Sequence, residues 1–360
     1  MTHLTYAEAM LVGLVQGVTE LFPVSSLGHS VLIPALIGGS WAQDLNVSAP
    51  ESPYLAFIVG LHVATAIAMI IYFRRDWARI AGGFLSSIRD RRIATADQRL
   101  AWMIVLASIP VGIAGLALEH LFRVVFSKPV PTALFLAANG VILLAGERRR
   151  RRTTGQKAAP ALAAQAVTAQ AVTAQAVTAQ AGAQAARPAG AGAGRAEPAN
   201  TVPTRAVPAR AVPANTEPAQ TEAARAVASD RRLSTMGLAN AVLIGSSQVL
   251  ALLPGISRDG MVTVTGLFRG LSREDAVRFS FLLSAPIILA AGLLKVPDLT
   301  GPLGNSIRGQ VLAGSLMSGI SAYLSVRFLV RYFAKERSLA PFGIYCLAAG
   351  LGSLAYLLLR

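Results

Sequence analysis

Charge is scarce in this chain. Asp, Glu, Lys and Arg make up 14% of its 360 residues against 53% hydrophobic ones, and the mean hydropathy is +0.52, which excludes an ordinary soluble domain. Cysteine is scarcer still: Cys346 is the only one, so no internal disulfide and no cysteine-built metal cage can form. Its place in the last apolar run makes it a packed side chain. The opening "MTHLTYAEAM" lacks a basic region and Glu20 interrupts the apolar stretch behind it, so the first 38 residues do not read as a cleaved secretory signal. The chain also lacks a basic patch interleaved with aromatics, and its net charge of +15 comes from residues in loops between apolar runs. Nucleic acid is therefore not an expected partner.

What the chain does have is long uncharged runs. Tyr54 to Phe73 is 20 residues without a formal charge, enough to cross a hydrocarbon core of roughly 30 Å as a helix. Similar runs follow at about 100–118, 132–146, 279–294, 309–326 and 339–359, the second of these five so short that it needs its flanking residues to complete a span. Six spans are expected. Between Glu147 and Asp230 the composition turns to Ala, Gln, Pro, Thr and Arg, with three consecutive "QAVTA" pentads from Gln165 and a Pro-bearing five-residue rhythm around "RAVPARAVPANTEPAQ". Few large apolar groups are there to offset the entropy of ordering, and a period of five fits no amphipathic helix. Residues 147–234 are thus expected to form a disordered cytoplasmic insertion between a first membrane repeat, 1–146, and a second, 235–360.

The two flanks resemble each other. "PVGIAGLA" at 110–117 and "PFGIYCLA" at 341–348 match at an offset of 231, as do Pro23 with Pro254 and Ser26 with Ser257, while Gly13 and Gln16 pair with Gly245 and Gln248 at 232. This reads as an internal duplication. Basic residues mark cytoplasmic span ends, and here they are seven arginines between 74 and 99, "RRRRR" at 148–152 and "VRYFAKER" before the last span. With three spans per half, the repeats must run in opposite directions. Each opens with an apolar helix broken at a proline, "ELFPVSS" and "LLPGISR". The expectation is an all-α integral membrane protein with an inverted-topology repeat, about six transmembrane helices and two re-entrant helical hairpins. In such architectures functional sites gather at the broken helices near the midplane.

Non-helical backbone at membrane depth persists only when buried in protein or lining a wet cavity, and the breaks leave helix N-termini that favour anions such as phosphate. Gln16 and Glu20, four apart, share a helix face. Ser25 and Ser26 stand at the first break, and His29 follows Ser26 by three residues. The second break supplies Gly255, whose backbone has no side chain in the way, Ser257 and Arg258. An intramembrane charge is a functional candidate, and this set suits phosphoryl transfer. Arginine presents a planar fork to phosphate oxygens, a hydroxyl attacks phosphorus once a base takes its proton, and a carboxylate can hold a divalent cation whose other ligands are water and substrate phosphate. The Ser-to-His spacing alone describes a helix cap beside a satisfied polar residue equally well, and Arg258 could simply tie the hairpins together through Glu20. His62, in the middle of the first full span, reads as a buried histidine bonded to a neighbouring helix rather than as a participant. Glu119 and His120 read as ending the next span near the outer surface.

"QGVTELFPVSSLGHS" together with "LLPGISRDG" resembles the undecaprenyl-diphosphate phosphatase, or bacitracin-resistance, family. Its first motif reads E or Q, three residues, E, then PVSSxGH; its second reads PGxSRSxxT. The likeness covers both hairpins and the apolar segments around them. It implies removal of the terminal phosphate of undecaprenyl diphosphate at the bacterial inner membrane, from a site open to the outer face, yielding the monophosphate lipid that carries cell-wall precursors. By position it gives Glu20 to metal or phosphate binding, Ser26 to the nucleophile, His29 to its base or acid, and Arg258 to a clamp on the diphosphate. Gln16, Ser25, Gly255 and Ser257 are assigned to substrate contact. The cation at Glu20 would be Mg or Ca, and the partners a polyprenyl diphosphate and the membrane, with a homodimer as the self-assembly considered. Three positions depart from the pattern: Gln16 stands where many members have Glu, Asp259 replaces the serine after the arginine, and Val262 takes the threonine position, with Thr263 one residue on and about 100° round the helix. The competing reading is a polyprenyl-phosphate transporter or flippase, since inverted repeats with hairpins also serve transport. Ser26 beside His29 favours the enzyme.

Overall fold

In the computed structural model, residues 4–45, 53–121, 128–152, 222–294 and 307–359 are described, and every regular element among them is helical. In chain order the helices are α1 (Tyr6–Leu21), α2 (Ser26–Ile37), α3 (Gly39–Asp44), α4 (Pro53–Tyr72), α5 (Arg74–Arg89), α6 (Ala96–Leu121) and α7 (Pro129–Arg152). They continue with α8 (Glu222–Ser234), α9 (Leu238–Ser246), a 3-10 turn at Ser247–Leu252, α10 (Arg258–Phe268), α11 (Arg273–Leu294), α12 (Arg308–Ala334) and α13 (Ala340–Leu359).

Proline and serine build the same device in both halves. Thr5 opens α1 with a capping box, its Oγ1 accepting from Glu8 N at 3.2 Å while the Glu8 carboxylate accepts from Thr5 N at 2.8 Å. The helix stops at Phe22, which turns extended because the following Pro23 disfavours helical angles. Ser25 then caps α2 by accepting from Gly28 N at 3.2 Å. In the second half the 3-10 turn stops at extended Leu253, just before Pro254, and Ser257 caps α10 by accepting from Gly260 N at 3.1 Å.

Five helices, α6, α7, α11, α12 and α13, are long and apolar enough to cross a membrane. The other expected span, Tyr54 to Phe73, is α4, which turns by 87° into the arginine-bearing α5. The short run at 132–146 is part of a longer helix than expected, because α7 continues through all five arginines to Arg152. The insertion is correspondingly shorter at both edges. Glu147 is buried, 2.6 Å from Arg273, and accepts from Leu339 N at 3.2 Å. Asp230, on α8, is buried between Arg278, at 2.7 Å, and Arg79, at 2.6 Å. Composition assigns these charges to a linker, but partners remote in sequence bind them into the fold. The chain divides as 1–150 with 224–360, and 151–223; the pentads and the Pro-bearing rhythm lie outside the described residues.

The repeats pack reciprocally. A Cβ added at Gly13 of α1 would lie 2.2 Å from the carbonyl of Gly314 on α12, and one added at Gly245 of α9 would lie 2.2 Å from the carbonyl of Ala107 on α6. Each opening helix thus rests on a long helix of the other half, as a two-fold relation requires, and α6 is the counterpart of α12. This corrects one element of the repeat alignment. Pairing 110–117 with 341–348 sets Pro110, inside α6, against Pro341, in the first turn of α13. The match reflects small apolar residues common to both helices, not equivalent places, whereas the Gly13 and Gly245 pairing agrees with the packing.

Replacing Asp230 by Ala removes one of the two carboxylates that hold the buried Arg278, and it should cost on the order of 3 kcal/mol. Gly245→Ala should cost about 1–3 kcal/mol by overpacking, whereas Gly352→Ala, with open space around it, should be neutral. Thermal unfolding in detergent measures all three.

Candidate active site

The two helix breaks meet. Ser25, at φ 70°, accepts through Oγ not only from Gly28 N but also from Gly255 N at 3.1 Å, so one hydroxyl joins the hairpins. Asn139 of α7 serves both breaks: its Oδ1 accepts from Ser257 N and its Nδ2 donates to Pro23 O, each at 3.0 Å. Such groups need a protein partner at membrane depth, where lipid offers none. Gly255 is at φ 110°, and a Cβ there would lie 2.5 Å from the carbonyl of Thr132, so only glycine fits. The N-terminal residues of α2 and α10 consequently line a single cavity of about 320 Å³.

Glu20 is the hub of its polar lining. The carboxylate is buried and accepts from Arg258 Nη2 through Oε1, and from Ser26 Oγ and Gln16 Nε2 through Oε2, the last at 2.9 Å. His62 Nε2 lies 3.4 Å from the same Oε2 and 3.2 Å from Gln16 Nε2. His62 Nδ1 donates to Ile58 O at 2.9 Å, which leaves Nε2 to accept from Gln16 when the ring is neutral or to donate towards Glu20 when it is charged. Arg258 keeps its Nε buried with no acceptor among the described residues. Most of the remaining lining is aliphatic, including Ile58, Val111, Leu252, Ile256 and Ile288.

Not every expected residue arrives here. The ring of His29 bonds to Ser25 O and Tyr345 Oη, while Ser26 Oγ bonds to Glu20. His29 Nδ1 donates to Ser25 O at 2.7 Å, its Nε2 is 2.7 Å from Tyr345 Oη, and it lines a separate small hollow with Trp41 and Tyr54. The carbonyl four residues back captures a ring that spacing alone had placed beside the hydroxyl three residues back. Gly255 packs its Cα against α7 instead of lining the cavity, and Gln16 stands behind Glu20 rather than in the lining. Ser25 and Ser257 do line it, with hydroxyls that accept from backbone amides. Asp259 bonds to α11, accepting from Ser280 Oγ at 2.7 Å and Ser284 Oγ at 2.6 Å, while Val262 is core and Thr263 is buried. The side chains of Glu119 and His120 lie outside the described residues. Two further lining residues, His62 and Gln248, were not assigned to the site by their sequence; His62 is bonded to a neighbouring helix as expected, through Gln16 of α1. What spacing does not show is that His62 also lines the cavity beside Glu20, and that Gln248, the repeat partner of Gln16, lines it too.

The donor set does not make a resident metal site. Among the described residues no three His, Cys, Asp or Glu come together. Among the described residues Glu20 is the one carboxylate lining the cavity, and its oxygens already accept from Arg258, Ser26 and Gln16.

A cavity whose polar lining supplies a guanidinium, hydroxyls and helix N-termini, and whose other lining is aliphatic, selects an anion attached to an apolar body. The molecule is thus a polytopic membrane protein whose helix breaks enclose a cavity of this mixed character. Known sequences narrow the class: a family model described as Bacitracin resistance protein BacA matches residues 9–182 and 216–352, and the chain belongs to that family. It is 53% identical over 358 residues, 99% of each chain, to a Mycolicibacterium paratuberculosis protein named undecaprenyl-diphosphatase. It is 54% identical over 354 residues, 97% of each chain, to undecaprenyl-diphosphatase 2 of Frankia alni. Identity to undecaprenyl-diphosphatase 2 of Chromobacterium violaceum is 35% over 353 residues, covering 97% of this chain and 98% of the other.

Ser25→Ala leaves two buried amides without their acceptor and should destabilise the protein by about 1–3 kcal/mol. Ser25→Gly, which loses the same acceptor but relieves the positive φ, should fall between that variant and wild type in detergent unfolding.

Proposed function

We propose that this chain hydrolyses undecaprenyl diphosphate to undecaprenyl phosphate and inorganic phosphate, regenerating the carrier lipid of cell-wall synthesis and thereby opposing bacitracin. The observation that carries the reading is the bond from Ser26 Oγ to Glu20, made in the cavity that Arg258 and two helix N-termini share. Glu20 takes the Ser26 proton as Oγ attacks the terminal phosphorus. The bond from that phosphorus to the bridging oxygen breaks, and undecaprenyl phosphate leaves with the bridging oxygen. Arg258 holds Glu20 through Nη2 and has a buried Nε without an acceptor among the described residues; with the diphosphate bound, its guanidinium turns this unmet donor to phosphate oxygens, where the planar fork stabilises the charge of the transferring group. His29 supports the break by holding the Ser25 carbonyl, and no step above uses it as base or acid. A divalent cation, Mg or Ca, is retained only as an ion that would come with the diphosphate and find Glu20 as its single protein carboxylate. No step above depends on it.

We propose that the cavity lies near the middle of the membrane and opens to its outer face. Arg74, Arg148 to Arg150 and Arg273 stand at the ends of α4, α7 and α11, and basic ends favour the cytoplasm. At 1.5 Å per residue His62, mid-span on α4, is about 15 Å from the Tyr72 end, and Ile288 is about 22 Å from the Arg273 end of α11. A head group reaches them from the outer leaflet while its prenyl chain stays in lipid.

Phosphate release by purified protein from undecaprenyl diphosphate tests this reading. Ser26→Ala and Glu20→Gln should each lower kcat by about 10²–10⁴-fold, whereas Tyr345→Phe, which alters only the far side of His29, should stay near wild type. A wild-type protein that binds the lipid and releases no phosphate would make it a transporter. Arg258→Lys should lose most activity despite keeping its charge, because an ammonium cannot reproduce the fork; near-normal turnover would remove Arg258 from the clamp.

A further inference from the structure

Gln248 lines the cavity beside Ser257 and Arg258 and is 1% exposed. Its Nε2 donates to Gly245 O at 3.1 Å. A carbonyl can only accept, so this bond sets which way round the amide sits. The other end, Oε1, is buried, and among the described residues nothing donates to it. An unmet acceptor is a poor neighbour for phosphate, since both present lone pairs. What it suits is a neutral O–H donor. A buried water needs two or more polar partners, and a phosphoryl group on Ser26, in the same lining, would supply the others.

We infer that Gln248 holds the water that hydrolyses the phosphoserine formed on Ser26. The inference rests on the serine mechanism proposed above. Water donates one hydrogen bond to Gln248 Oε1 and attacks the phosphorus bonded to Ser26 Oγ. The new bond joins the water oxygen to phosphorus, and the bond to Oγ breaks. Oγ recovers the proton that Glu20 took in the first step, so Glu20 is again a carboxylate. The two protons of the water leave with inorganic phosphate, which sheds one to solution. The repeat counterpart, Gln16, also has a buried Oε1 without a donor among the described residues, but its amide nitrogen is committed to Glu20 and it does not line the cavity. The duplicated position has thus separated into a glutamine that orients the base and a glutamine that faces the reaction.

The test is rapid-quench kinetics on the full-length protein with undecaprenyl diphosphate labelled on its terminal phosphate, following undecaprenyl phosphate, free phosphate and label on the Ser26 peptide. Gln248→Met keeps the side-chain length and removes the acceptor. It should release a first equivalent of undecaprenyl phosphate at close to the wild-type rate, then turn over about 10²-fold more slowly, with label held on Ser26. Gln248→Ala, which adds no bulk, should trap label in the same way and covers the case in which the methionine variant fails to fold. If both products slow equally in these variants with no label on Ser26, while Ser26→Ala is inactive, the serine mechanism stands and the Gln248 assignment is overturned. Recovery of the Gln248→Met rate by added Mg or Ca would also overturn it, because Oε1 would then be a cation ligand. If Ser26→Ala turns over, the serine mechanism itself has failed, and the role of Gln248 with it.

Discussion

Everything at the centre of this molecule depends on one buried ion pair. Glu20 and Arg258 come from opposite repeats, 238 residues apart, and meet where two broken helices converge. Taking two charges out of water costs several kcal/mol each, and their attraction recovers this only when the remaining lone pairs and protons are also satisfied. Ser26 and Gln16 meet that condition on the carboxylate. The unmet Nε edge of Arg258 is the exception, and an unmet donor of this kind is what a phosphate can fill.

The pair can form only because the backbone around it is held. Both hairpins stop at proline and restart under a serine cap, which would leave amides and carbonyls bare at membrane depth. Ser25 joins the first break to Gly255, and Asn139 reaches both breaks from α7. Behind them, Gly13 and Gly245 let α1 and α9 press against long helices of the opposite repeat. Interlocking of this kind fixes groups contributed by both hairpins in one place, a precondition for positioning a substrate to within a fraction of an ångström.

Much of this architecture was legible in the sequence, and its limits have physical causes. Uncharged runs reveal spans because lipid punishes charge, and Pro23 and Pro254 reveal the breaks because proline cannot continue a helix. Glu20, Ser26 and Arg258 stand out because ionisable and hydroxyl groups are rare in such surroundings. His29 misled because spacing along a helix cannot say whether a ring turns to a hydroxyl or to the carbonyl one residue earlier, and here Tyr345, 316 residues away, decides. Asp230 and Glu147 were hidden in a stretch that composition marks as linker, since burial beside a distant arginine leaves no local trace. Gln248 carried a signal in its repeat pairing with Gln16, but only the direction of its amide separates the two roles.

Where the diphosphate sits decides whether Ser26 and Arg258 act as proposed. A structure of the protein with an undecaprenyl diphosphate analogue whose bridging oxygen is replaced by methylene decides this directly. The terminal phosphorus should lie about 3–3.5 Å from Ser26 Oγ, with Arg258 bonded to its oxygens and the prenyl chain leaving past Ile256 and Ile288. A head group bound outside the cavity shared by Ser26 and Arg258, or held there with Ser26 turned away from phosphorus, would contradict the proposed mechanism.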